Sequence, residues 1–200
     1  MASYQLPPVP QPLAVFERMI APQTTTLVLK EKFDNFDVTA LDKTRQMNVK
    51  AEYPSLHGRK HVYDSAGGHL FDITRETLHR HTTFSIQDES KKEYMQVQKR
   101  FAFVGFKAEA TFTTARGTPV TLKLNGDWSA SSADIVDAAS GAVVARIDRK
   151  WGNARELLFS QQTYHVTIAP GVDMALITAM CVCLDEARSD GGASGSCTVM

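Results

Sequence analysis

The stretch Val172-Asp173-Met174-Ala175-Leu176-Ile177-Thr178-Ala179-Met180-Cys181-Val182-Cys183-Leu184 decides the fold of this 200-residue chain. Of its thirteen residues only Asp173 and Thr178 are polar. Pro170 and Gly171 break the segment before it, and Asp173 puts a negative charge in the first turn, where the helix dipole favours one. On a helical wheel the apolar side chains fall on every side, and such a helix must be enclosed by lipid or by protein. Thirteen residues at about 1.5 Å each reach roughly 20 Å, short of a hydrocarbon core about 30 Å thick. Asp185, Glu186 and Arg188 follow at once and end the run. The sequence therefore predicts a helix wrapped by protein.

What could wrap it lies upstream. Short runs rich in β-formers begin at Thr25–Lys30 and Phe36–Leu41, with Asp34-Asn35 as turn chemistry between them. Met47–Glu52, His61–Tyr63, His69–Arg75, Thr82–Gln87, Tyr94–Lys99, Lys107–Thr113, Val120–Leu124, Ser132–Asp137, Ala142–Arg149 and Thr163–Ala169 continue the series. Asp64-Ser65-Ala66-Gly67-Gly68, Gly117-Thr118-Pro119, Asn125-Gly126-Asp127 and Ser140-Gly141 punctuate it. Regular short strands of this kind predict an antiparallel sandwich or barrel. A barrel leaves no edge to protect and offers the apolar helix an interior.

Residues 1–23 hold five of the eight prolines, Pro7, Pro8, Pro10, Pro12 and Pro22. They read as an extended, polyproline-like leader acting as a spacer, with Val15, Phe16, Met19 and Ile20 as its candidate docking side chains. The main domain spans 24–188. Residues 189–200 form a Gly/Ser-rich tail, flexible by composition.

Hydrophobic residues make up 43% and charged residues 22% of the chain, as in an ordinary globular domain of this length. Lys plus Arg and Asp plus Glu both number 22, and a nucleic-acid binder normally carries a basic excess, so no nucleic-acid partner is expected. No apolar, cleavable segment opens the sequence, and the three cysteines do not make a disulfide framework. Both observations predict a cytoplasmic protein. Cys181 and Cys183 read as small core residues.

The sharpest chemical motif is Cys197-Thr198-Val199-Met200, which fits a C-a-a-X signal for farnesylation of Cys197. One lipid chain gives reversible membrane binding, so the expectation is peripheral association through the prenyl group. Basic residues gather at His57-Gly58-Arg59-Lys60-His61, at Arg75 with His79-Arg80-His81, at Lys91-Lys92, at Lys99-Arg100 and at Arg149-Lys150. Converging on one face they would bind anionic lipid headgroups, and Arg59, Lys60, Lys99 and Arg100 are the candidates. His79 and His81 would share a strand face but lack a third ligand, so no metal site is predicted by spacing. No nucleophile elbow, P-loop or GxGxxG is present. The reading is non-enzymatic, without a cofactor: a binding or adaptor module whose protein partner the sequence does not name.

Three segments carry a family resemblance: Val62-Tyr63-Asp64-Ser65-Ala66-Gly67, Asn125-Gly126-Asp127-Trp128, and Ala169-Pro170-Gly171-Val172-Asp173-Met174-Ala175 through Leu184-Asp185-Glu186. Over residues 24–188 the chain resembles the LURP-one-related family, part of the Tubby C-terminal-like group that also includes phospholipid scramblases. The resemblance implies a mainly β fold, a closed antiparallel barrel of about twelve strands enclosing a hydrophobic C-terminal helix. It brings no catalytic residues. Scramblases would imply a lipid-transport alternative, but their cysteine cluster is absent here, and Asp185, Glu186 and Asp190 alone make a poor calcium loop.

Overall fold

The computed structural model describes residues 5–55, 58–76, 81–100, 107–126, 132–148 and 163–192, with side chains as far as residue 187. Twelve strands follow one another: β1 Thr25–Lys32, β2 Asn35–Ala40, β3 Arg45–Ala51, β4 Lys60–Asp64, β5 His69–Glu76 and β6 Thr83–Gln87. Then come β7 Glu93–Arg100, β8 Lys107–Thr113, β9 Pro119–Gly126, β10 Ser132–Asp137, β11 Val143–Asp148 and β12 Thr163–Ile168, before helix α1, Met174–Gly192. Each strand pairs antiparallel with its sequence neighbours, and β1 pairs with β12 through Thr25 opposite Ile168 to Lys30 opposite Thr163. The sheet closes on itself as a barrel. Every run read as a strand from the sequence overlaps one of these twelve.

Period-two alternation sends one side chain in two to the interior. Leu27 and Leu29 of β1, Phe36 and Val38 of β2, and Met47 and Val49 of β3 are fully buried, and their neighbours face outward. From Ala175 to Leu184 no residue of α1 is more than 1% exposed. Burying a Leu, Ile, Met or Val side chain completely stabilises by about 1.5–3 kcal/mol each, and the apolar helix supplies these on every side. No described helix is long and apolar enough to cross a membrane.

The first hairpin turns differently from expectation. The turn is Phe33-Asp34, both with positive φ (49° and 62°), and Asn35 already belongs to β2. Two consecutive positive-φ residues match the right-handed strand twist, which the Asp34-Asn35 reading missed.

Alternation also sorts the connections. At the near end, where α1 enters, the hairpins are short and tied by their own side chains. Asp42 accepts from Thr44 N–H, Asp64 from Ala66 and Gly68, Asp88 from Lys92, Thr114 from Thr118, and Asp137 from Ala139 and Ser140. At the far end β1 meets β2, β3 meets β4, and β7 meets β8; there α1 emerges. The helix runs on to Gly192, inside the segment 189–200 read as a flexible tail.

The leader is not a spacer. Leu6, Ala14, Met19 and Ala21 are buried, and the chain lies across the near end of the barrel. Val9 N–H donates to Pro170 O, Leu13 N–H to Gly171 O and Ala21 N–H to Val172 O, while Gly171 N–H returns to Ala21 O. Phe16 stacks on Phe71 at 5.4 Å and meets the edge of Tyr94 at 5.1 Å. Gly171 sits at φ 89°, and a Cβ there would lie 2.7 Å from Val9 Cγ2, so only glycine lets the leader pass this close.

Asp173 binds leader and helix together. It precedes the first helical residue, as an N-cap rather than a first-turn residue. Oδ1 accepts from Ala175 and Leu176 N–H at 2.9 and 3.3 Å, and Oδ2 accepts from Val15 and Phe16 N–H at 3.1 and 2.8 Å. Burial pushes this carboxyl up to about 6, with the four N–H groups opposing the shift.

Candidate functional site

The four basic candidates all lie at the far end, in two groups. Lys60 opens β4 with Arg59 just before it, Lys99 and Arg100 close β7, and β5 and β6 stand between. Three strand spacings separate the groups by about 14 Å along the wall. Lys60 shares the face of Val62, so its side chain turns inward and is 4% exposed. Its ammonium reaches Glu186 Oε1 at 2.9 Å and donates to Asp34 O at 2.7 Å. Arg59 lies 3.7 Å from Glu52, Arg100 pairs with Glu109 at 2.6 Å, and Lys99 Nζ donates to Ala187 O, a carbonyl near the end of the described helix. An anionic headgroup would meet these cations already engaged. Cys197, His79, Arg80, Arg149 and Lys150 lie outside the described residues, as does the side chain of Asp190.

Around Lys60 the far end gathers carboxylates. Glu31 is pushed up to about 7, first by burial and then by the negative charges of Asp185 and Asp34, with Lys60 pulling the other way. Asp185 is 3% exposed. Cys183, fully buried, has its thiol pushed well above the ordinary range by burial, so it is protonated and inert at neutral pH. Two aromatic rings project from this end: Phe33 is 84% exposed and Tyr53 69%, with the Tyr53 hydroxyl donating to Asp34.

A second constellation lies on the outer wall of β4 and β5. His61 is opposite Asp72 in the register, and Tyr63 is opposite His69. His69 and Asp72 are three apart and would point to opposite faces of a regular strand. The register shifts between Val62 and Tyr63, whose partners are Phe71 and His69, so Leu70 has no partner of its own. This bulge turns His69 back to the outer face. Asp72 Oδ1 then lies 2.7 Å from both His61 Nδ1 and His69 Nε2. The ligand-type atoms of the three residues all fall within 4.8 Å of one another. Sequence spacing did not suggest this cluster, although the turn at Asp64–Gly68 identified the hairpin that builds it. The pair it did suggest, His79 and His81, is described only at His81.

A groove of about 820 Å³ runs between the leader and β7–β9, lined by Val15, Tyr94, Phe112 and Val120 among others.

The chain is thus a closed twelve-stranded antiparallel barrel threaded by its own C-terminal apolar helix. The sequence profile of the LURP-one-related family matches residues 25–185, and the chain belongs to that family. It is 20% identical over 166 residues to Protein LURP-one-related 15 of Arabidopsis thaliana, covering 80% of this chain and 76% of the relative. It is 22% identical over 170 residues to Protein LURP1 of the same plant, covering 82% of each. The crystal structure of an Arabidopsis thaliana protein superposes with a TM-score of 0.60 at 18% identity, covering 88% of this chain and 98% of the other. That likeness establishes the fold, and the relatives' names specify no reaction.

Proposed function

We propose that this chain is a non-enzymatic binding module that works at a membrane surface through the far end of its barrel. The observation that carries this reading is Phe33. A left-handed conformation costs a bulky L-residue about 1–2 kcal/mol, yet this ring sits there and is 84% exposed. The hairpin itself requires a left-handed residue here, a place usually given to Asn, Asp or Gly, and an exposed aromatic ring in that place points to something the ring touches. Tyr53 projects from the same end, α1 emerges there, and Cys197 follows five residues after Gly192. A farnesyl chain at Cys197 gives reversible binding by itself, and apolar rings at the far end of the barrel supply a second contact.

Two features favour binding over the alternatives. The helix takes up the barrel axis, which leaves a small-molecule substrate little room inside. Lipid transport would need Val172–Leu184 to meet acyl chains, whereas its residues from Ala175 onward are at most 1% exposed.

The test has two parts. Intact mass of the chain from a eukaryotic host with prenyltransferases is expected to show farnesyl addition at Cys197, lost in Cys197→Ser. Sedimentation with vesicles containing anionic lipid is expected to weaken in Phe33→Ser. An unmodified chain whose Phe33→Ser variant sediments like wild type would overturn the proposal.

A further inference from the structure

We propose that His61, His69 and Asp72 form a binding site for one divalent first-row transition-metal ion of the zinc class. Two imidazoles and a carboxylate are a recurring three-ligand set for such ions, leaving one or more positions to water or an outside group. Here the set rests on two adjacent strands of a closed barrel, where register and a bulge hold the three side chains on one face. Asp72 is only 6% exposed, whereas both histidines are partly open to solvent, so an ion can approach from outside.

The surroundings fit a cation as well as the ligands do. A ligating histidine commonly has its second nitrogen on a carboxylate, which fixes the tautomer and raises ligand basicity. His61 Nε2 lies 3.7 Å from Glu52 Oε2, and His69 Nδ1 lies 3.7 Å from Glu89 Oε1. Both histidines thus face Asp72 with one nitrogen and a further carboxylate with the other. Tyr63 packs edge-on to His69 at 5.6 Å between centroids and limits its rotation. Without metal, the two 2.7 Å contacts to Asp72 Oδ1 hold the ligands near one another. Ligands at about 2.0–2.1 Å from zinc stand somewhat farther apart than that, so binding replaces the two hydrogen bonds by metal bonds after a small opening of the side chains.

The site does not depend on the membrane reading, and its test uses the soluble full chain. After treatment with chelator, calorimetric titration with zinc chloride is expected to give one ion per chain. His61→Ala, His69→Ala and Asp72→Asn are each expected to weaken binding by more than about 100-fold, and Glu52→Gln by about 10-fold, as for an outer partner. His81→Ala is expected to leave it unchanged. Because a variant can fail for reasons of folding, the wild-type chain is also read directly. Its His61 and His69 ring nitrogens must shift in NMR on adding one equivalent of zinc. Absence of heat, unmoved ring signals, or a thiolate-to-metal band on substituting cobalt, which would place the ion on a cysteine, each overturns the proposal.

Discussion

Asp173→Ala removes a carboxylate that serves two segments separated by more than 150 residues, the leader at Val15 and Phe16 and the first turn of α1. Loss of an N-cap costs about 1 kcal/mol. The leader donors add more, because a donor buried without an acceptor costs about 1–3 kcal/mol and these two are partly buried. The sum is about 3–5 kcal/mol. At this chain length each kcal/mol moves Tm by about 2–4 °C, so the melt should fall by about 6–20 °C. Asp173→Asn separates the two roles. Its one oxygen can serve either the helix or the leader, and its amide then faces donors on the other side. Thermal unfolding should be measured about pH 7.5, above the Asp173 pKa of about 6, together with hydrogen exchange at Val15, Phe16, Ala175 and Leu176. Faster exchange is expected at all four amides in the alanine variant and at one pair in the asparagine variant. An alanine variant melting within about 2 °C of wild type, with the leader amides still protected, would refute the reasoning.

Three further perturbations address the interior and the far end. Glu31 has a folded pKa near 7 against an ordinary 4.5, so between these values the native state binds more protons than the unfolded one, and stability falls as pH rises through that window. Denaturant titrations of Glu31→Gln should accordingly show a flatter pH profile, with the variant more stable than wild type near pH 8 and the gap closing toward pH 4.5; a parallel profile would sink the assignment. Thr178→Val keeps the side chain's shape but removes a fully buried hydroxyl with no hydrogen-bond partner among the described residues. Its melt should rise by the equivalent of about 1 kcal/mol, and a loss of stability would mean that the hydroxyl is satisfied. Lys60→Met leaves Glu186 and the neighbouring carboxylates without their buried cation. Glu186 is itself 34% exposed, so losing the cation costs about 1–3 kcal/mol, and an unchanged denaturant midpoint would contradict the pairing.

The barrel was legible because its information is local. Alternation in Phe36-Asp37-Val38 or Met47-Asn48-Val49 states which face is inner, and Asp64 to Gly68 states where the chain turns. The helix was legible from composition alone, since a segment apolar on all sides has only one environment inside a protein. Pairings between distant residues were not legible. The Pro-rich leader reads as a spacer until the N–H groups of Val9, Leu13 and Ala21 find the carbonyls of Pro170, Gly171 and Val172. The His61, His69 and Asp72 cluster was hidden by a change of parity, because a bulge at Leu70 reverses the rule that sorts faces. Lys60 lay between these cases. Period two already put it on the face of Val62, but its position in a basic run suggested solvent.

Closing the ring with β1 against β12, and filling it with a helix that comes later still, sets an order on biosynthesis. When β11 has left the ribosome, the nascent sheet still has two open edges and an apolar inner face with nothing to cover it. Such an intermediate is prone to pair with other chains. The apolar helix, the final described element made, therefore covers the inner face only at the end, when the first strand can also meet its last partner. A chain cut short before the helix would therefore keep both an open seam and a bare lining, the two features that drive one sheet onto another.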